Sequence, residues 1–168
     1  MKSRNAVKAQ YEAVLAAPFG CIGILLTDDK DKLQGIDLLP EDHMVQAATS
    51  LLARRVAHAL NHYFDDPKSN FDLPLAIFGT PYQTKVWHAL TAIPLGQTTT
   101  YGQLARLLGS SPRAVGQACG ANPLPIIIPC HRVVATNGRG GFMHATSGAP
   151  LTYKDWLISH ESGIATSA

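Results

Sequence analysis

The 168-residue chain predicts an α+β protein in two lobes. Residues 1–74, linker included, read as a small antiparallel sheet plus one helix. Residues 75–168 read as a mainly helical lobe that carries a helix-turn-helix, winged-helix-like in plan, and a candidate active-site cysteine. Three observations carry this. Apolar segments separated by tight turns fill the stretch before residue 40. Apolar residues recur at helical spacing over residues 42–64. After residue 79, three short segments each open with a helix-start signal.

Composition agrees with a folded domain, since 46% of residues are hydrophobic and 15% charged. No apolar run reaches membrane-spanning length. Residues 1–10 are polar and lack the apolar segment of a signal peptide.

The N-terminal elements follow in order. Residues 10–15 and 21–27 predict two strands joined by the turn Ala17-Pro18-Phe19-Gly20, and residues 33–39 a third, ended by Pro40. Met44, Ala47, Ala48, Leu51, Leu52, Val56, Ala59, Leu60 and Tyr63 predict an amphipathic helix over residues 42–64. Residues 65–74 are polar, contain Pro67 and Pro74, and read as the linker.

In the second lobe, Thr80-Pro81-Tyr82-Gln83 combines a capping Thr, Pro at the first helical position and a Gln placed to close a capping box. Val86, Trp87 and Leu90 supply that helix's apolar face. Thr100-Tyr101-Gly102-Gln103 repeats the signal, with Gly109 as terminator. Ser111 caps a third helix over residues 112–121.

Helix, short Gly-containing turn, helix is the pattern of a helix-turn-helix. On its second helix, Ala114, Val115, Ala118 and Cys119 form an inward stripe. Arg113, Gly116, Gln117 and Gly120 share the opposite one. Glycine inside a helix costs about 1 kcal/mol against alanine. Two on one face imply a close approach, either by DNA or by a packed neighbour.

Charge is unevenly placed. Residues 1–79 carry eight Lys/Arg and ten Asp/Glu, whereas residues 80–168 carry six and two. The acid-poor half suits a polyanion. Cys21, Cys119 and Cys130 are an odd set without a C-x-x-C pair, which argues against a disulfide framework and a simple zinc site. A reducing cytoplasm is the expected compartment.

Behind the apolar run Ile126-Ile127-Ile128, read as a buried strand, stands Pro129-Cys130-His131-Arg132-Val133. A thiol is nucleophilic as thiolate, and a neighbouring imidazole favours that form. With Tyr101-Gly102-Gln103-Leu104-Ala105, Arg113-Ala114-Val115-Gly116, Asn122-Pro123, and Lys154-Asp155-Trp156-Leu157 before His160-Glu161, this segment closely resembles the O6-alkylguanine-DNA alkyltransferases. The resemblance spans most of the chain.

The resemblance implies direct-reversal repair, in which Cys130 accepts the alkyl group irreversibly, once per molecule, and without a cofactor. His131 would deprotonate Cys130, through a water if the segment is extended and the two side chains diverge. Glu161 would orient the imidazole, and Tyr101 would protonate the leaving guanine and assist nucleotide flipping. Arg113 matches the family's arginine finger, on a helix that enters the minor groove of double-stranded DNA beside Gly116, Gln117 and Gly120. Asn122 would brace the turn before the active-site segment. Carbonyls near Cys130 and Val133 would read the guanine amine.

The loop over residues 140–150 is longer than the family's usual one. Phe142 would form the aromatic wall of the base pocket, with a backbone donor at Met143 or beyond, which leaves the range of alkyl groups and O4-alkylthymine open. No metal site is expected, because the Cys and His ligands of the zinc found in some members are not matched. Bland alternatives stand beside these roles: Glu161 as a solvated helix-end charge, Arg113 as a phosphate contact, Tyr101 as an ordinary helix-start residue.

Three rival functions make different demands. A lesion sensor without chemistry would lack Cys130. A transcription regulator would carry a dimerisation element, and none is visible, so a monomer is expected. A Cys-His hydrolase would need an oxyanion site.

Overall fold

The computed structural model describes residues 10–163. Most of the polar opening segment, residues 1–9, therefore lies outside the described residues. Strands β1 (Ala13–Ala17), β2 (Gly20–Leu26) and β3 (Leu33–Leu39) form an antiparallel sheet in the order β1-β2-β3. The predicted first strand sits too early, at residues 10–15. Pairing persists to Ala17 opposite Gly20, leaving only Pro18-Phe19 as the loop, so the strand runs to the turn itself.

Helix α1 (Leu51–Asp65) packs Leu52, Val56, Leu60 and Tyr63 into the core. The predicted start at residue 42 is wrong. Gln46 exchanges two 2.9 Å backbone bonds with Val14 on the free edge of β1, so that backbone is committed to the sheet and unavailable to a helix. Ser50 caps the helix instead, accepting from Ala53 N, and Met44 is 84% exposed.

The linker pairs with the sheet. Leu33 N donates to Pro74 O and Ala76 N to Leu33 O. Helix α2 (Pro81–Thr91) carries the predicted capping box at Thr80 and Gln83. A two-residue strand β4 (Thr99–Thr100) leads into α3 (Tyr101–Leu108), whose capping box joins Thr100 and Gln103. Gly109, left-handed at φ 63°, ends α3, and Ser111 caps α4 (Pro112–Gly120). The helix-turn-helix stands as predicted. Trp87 Nε1 donates to Ala118 O at 2.8 Å, tying α2 to α4.

Ile126 to Ile128 do not form a strand. Ile126 has φ 77°, and the segment closes as turns, with Ile128 N bonded to Leu124 O at 2.8 Å. A continuous apolar run reports burial, not conformation. The burial is real, since Ile126 is 3% and Ile128 2% exposed. A single 3-10 turn, Cys130–Arg132, follows. Strand β5 (Val133–Val134) then pairs in parallel with β4, a contact the sequence did not announce.

The long loop ends at Gly148, and α5 (Ala149–Ser162) begins with Pro150 in its first turn. Phe19, at the tip of the β1–β2 hairpin, packs against Phe64 of α1 and against Tyr153 and Trp156 of α5. Tyr153 also donates to Leu39 O. One buried cluster thus runs from the sheet into the helices around Cys130.

Candidate active site

Asn122 builds the floor. It directly follows Ala121, the cap residue of α4, and is 2% exposed. Its Nδ2 donates to Ile128 O at 2.8 Å, and its Oδ1 accepts from Leu124 N at 3.0 Å. The side-chain amide replaces the ladder that a strand would have supplied and delivers the chain into the 3-10 turn.

That turn separates the side chains of Cys130 and His131. Successive residues of a 3-10 helix point about 120° apart. Cys130 faces a cavity of about 280 Å³, whereas His131, fully buried, lies behind it. The expectation of divergent side chains on an extended segment is therefore met by a different backbone.

Behind His131 stands a buried carboxylate. Glu161 is 2% exposed, so its place near a helix end does not make it a solvated charge. His131 Nε2 lies 2.9 Å from Glu161 Oε1, within ion-pair reach but off the axis of a well-formed hydrogen bond. Arg132 donates from Nε to Oε2 at 2.9 Å and from Nη2 to Oε1 at 3.0 Å. Tyr63 O–H donates to Oε1 at 2.8 Å.

Burial alone would raise the Glu161 carboxyl. The close approach of His131, the hydrogen bonds from Arg132 and the charge of both overcome it and hold the group at about 2. His131 is lowered, because burial outweighs the pull of Glu161. The imidazole is thus neutral at pH 7. With Nε2 against the carboxylate, Nδ1 has no protein partner among the described residues.

A second buried ion organises the other side. Lys154 is fully buried on α5, and its ammonium donates to Val133 O (2.7 Å), Arg139 O (2.6 Å) and Gly141 O (2.9 Å). Burial lowers it to about 8, opposed by the thiols of Cys130 and Cys119. Cys130 is pushed up to about 11 by burial, offset in part by hydrogen bonding from Asn122 and by the Lys154 charge.

Tyr101, at the start of α3, borders the cavity and donates to Gly141 O at 3.2 Å. Burial raises its phenol to about 12.

Gly116 and Gln117 of α4, with Phe142 and Met143 from the loop, complete the cavity lining named in the sequence. Phe142 is 4% exposed. Arg113 is exposed near the start of α4 and does not line the cavity. Val133 is buried, and its carbonyl already serves Lys154. At Gly120 the close neighbour is the chain itself, because the His144 ring lies over it.

Sequence reading passed over Arg132, Tyr63 and Lys154 as site components. Only Lys154 left a trace, as a cation among the apolar positions of α5. Cys119, read as core, is buried and also borders the cavity. No cluster of three or more potential metal ligands occurs among the described residues.

Residues 81–163 match the family model described as the DNA-binding domain of 6-O-methylguanine DNA methyltransferase. A methylated-DNA–protein-cysteine methyltransferase of Methanosarcina acetivorans is 37% identical over 77% of this chain and 86% of its own length. The constitutive one of Bacillus subtilis is 34% identical over 90% and 94%. The crystal structure of Mycobacterium tuberculosis OGT in complex with DNA superposes with a TM-score of 0.72 at 30% identity, covering 89% of this chain and 91% of that one.

Proposed function

The chain belongs to the O6-methylguanine DNA methyltransferase family, and from that premise we propose that it repairs O6-alkylguanine in double-stranded DNA by moving the alkyl group to Cys130. It is a methylated-DNA–protein-cysteine methyltransferase that acts by direct reversal. The observation that carries the assignment to Cys130 is the thiol at the floor of a cavity with His131 and Glu161 stacked behind it.

The step balances simply. His131 Nδ1, directly or through a water, takes the thiol proton. The sulfur attacks the alkyl carbon, the carbon–oxygen bond breaks, and a thioether forms. Glu161 keeps the imidazole proton on Nε2 and stabilises the imidazolium. Lys154 and Asn122 stabilise the transient thiolate. The leaving purine carries negative charge, and Tyr101, which stays protonated near neutral pH, donates to it. A thioether is a very poor leaving group toward water, so each molecule acts once.

A buried thiol reaches a base only after the nucleotide leaves the stack. Arg113, exposed at the start of α4, suits the space left behind, with α4 in the minor groove and Gly116 and Gln117 at the cavity mouth. The Val133 carbonyl, held by Lys154, is the proposed reader of the guanine amine, and Phe142 with Met143 walls the base. No helix among the described residues is long and apolar enough to cross a membrane. The three cysteines are unbridged, which suits a reducing cytoplasm.

Incubation with an oligonucleotide containing O6-methylguanine tests the reading. The expected result is one methyl group per protein on the peptide holding Cys130. Multiple turnovers, or an intact lesion with unmodified Cys130, would overturn it.

A further inference from the structure

The loop tip Met143-His144 carries more strain than a connector needs. Phe142 and Ala145 exchange both backbone hydrogen bonds at 2.9 Å, which makes Met143 and His144 the two central residues of a tight hairpin. Both have positive φ, 50° and 62°, the requirement of a type I′ loop. Asn and Gly enter that region readily, whereas Met and His do so at a cost. Such backbone persists where surrounding contacts over-determine it.

The contact here is His144 on Gly120. A Cβ at Gly120 would stand 2.9 Å or less from three atoms of the imidazole, so only glycine lets the ring settle on α4. Seated there, His144 borders the cavity that holds Cys130. It also borders a second groove along α2 and α4, lined by Thr80, Tyr82 and Gln117. His144 and Gln117 are the residues that border both spaces.

We propose that His144, seated on Gly120, determines specificity: its imidazole is the wall that limits the bulk of the alkyl group accepted at Cys130. This rests on the alkyl-transfer reading above. On this reading a methyl group clears the ring, a flat arylmethyl group meets it, and loss of the imidazole would join the cavity of about 280 Å³ to the neighbouring groove.

The test uses free O6-methylguanine and O6-benzylguanine, so that contacts to DNA do not enter. Rates of Cys130 alkylation are followed by intact-protein mass spectrometry for the full chain, His144→Ala, Gly120→Ala and the double variant. His144→Ala is expected to raise the benzyl-to-methyl rate ratio about tenfold or more. Gly120→Ala, whose added methyl displaces the ring, moves the ratio the same way, and the double variant goes no further than His144→Ala. An unchanged or lower ratio in His144→Ala overturns the proposal, and full additivity in the double variant overturns the seat on Gly120. If the unmodified protein leaves Cys130 unmodified with both free bases and with the O6-methylguanine oligonucleotide, the alkyl-transfer reading itself fails and the proposal falls with it. If it takes methyl and His144→Ala leaves the ratio unmoved, only the role of His144 fails.

Discussion

Glu161→Gln isolates the buried charge behind Cys130 and His131 while keeping its shape. The carboxylate receives three hydrogen bonds, two from Arg132 and one from Tyr63, and stands 2.9 Å from His131 Nε2. A carboxamide has one accepting oxygen. Placed at Oε2, its NH2 faces Arg132 Nε, donor against donor. Placed at Oε1, it faces Arg132, Tyr63 and His131 together. Neither orientation satisfies the cluster, and the guanidinium loses its counter-charge while 13% exposed. Breaking a buried pair in this way costs about 3–5 kcal/mol.

Urea denaturation at pH 7 should show that loss as a lower midpoint with an unchanged slope. The pH dependence gives a second readout. A carboxyl lowered in the folded state, here from 4.5 to about 2, contributes stability that is present above the unfolded value and lost as pH falls through the folded one. The unmodified protein should therefore lose stability between about pH 4.5 and 2, and Glu161→Gln should lose that part of the slope. Alkylation of Cys130 should slow as well, because a neutral amide stabilises the imidazolium less than the carboxylate does. A stability loss below about 1 kcal/mol at pH 7, the scale of an exposed pair, would refute the reasoning.

Further outcomes follow from neighbouring contacts. Asn122→Ala leaves Ile128 O and Leu124 N without their partner in a buried loop and should cost about 1–3 kcal/mol in denaturation, and a loss within 0.5 kcal/mol would contradict the brace. Lys154→Met keeps the stem and removes the ammonium from three carbonyls. Faster proteolysis within residues 138–148 is expected, and unchanged cleavage counts against the clamp. Burial pushes Cys130 up to about 11, so its alkylation by iodoacetamide should climb about tenfold per pH unit from pH 8 to 9.5, whereas a plateau below pH 8 would contradict that environment. Arg113→Ala should reduce repair in duplex DNA at least about tenfold more than reaction with free alkylguanine, and equal losses would remove its role in the stack.

The legible parts of this fold were local. Thr80 with Gln83, Thr100 with Gln103, Ser111 and Gly109 are signals within three or four residues of the helix ends they define, and each acts where it was read. The misreadings share the opposite cause. Residues 42–50 have helical spacing, yet Gln46 pairs with Val14, a partner 32 positions away. The run Ile126-Ile127-Ile128 looks like a strand, yet its backbone is held by an asparagine side chain rather than by a neighbouring strand.

The amino-acid sequence alone determined the α+β class, the capped helix-turn-helix and the cysteine–histidine pair, because these rest on short-range backbone preferences and on chemistry written in adjacent residues. Tertiary structure alone decided which groups surround that pair. Tyr63 meets Glu161 across 98 positions, Lys154 gathers carbonyls from 13 to 21 positions away, and His144 comes down on Gly120. Burial made those meetings consequential, since a charge removed from water must find its partners wherever the chain has brought them.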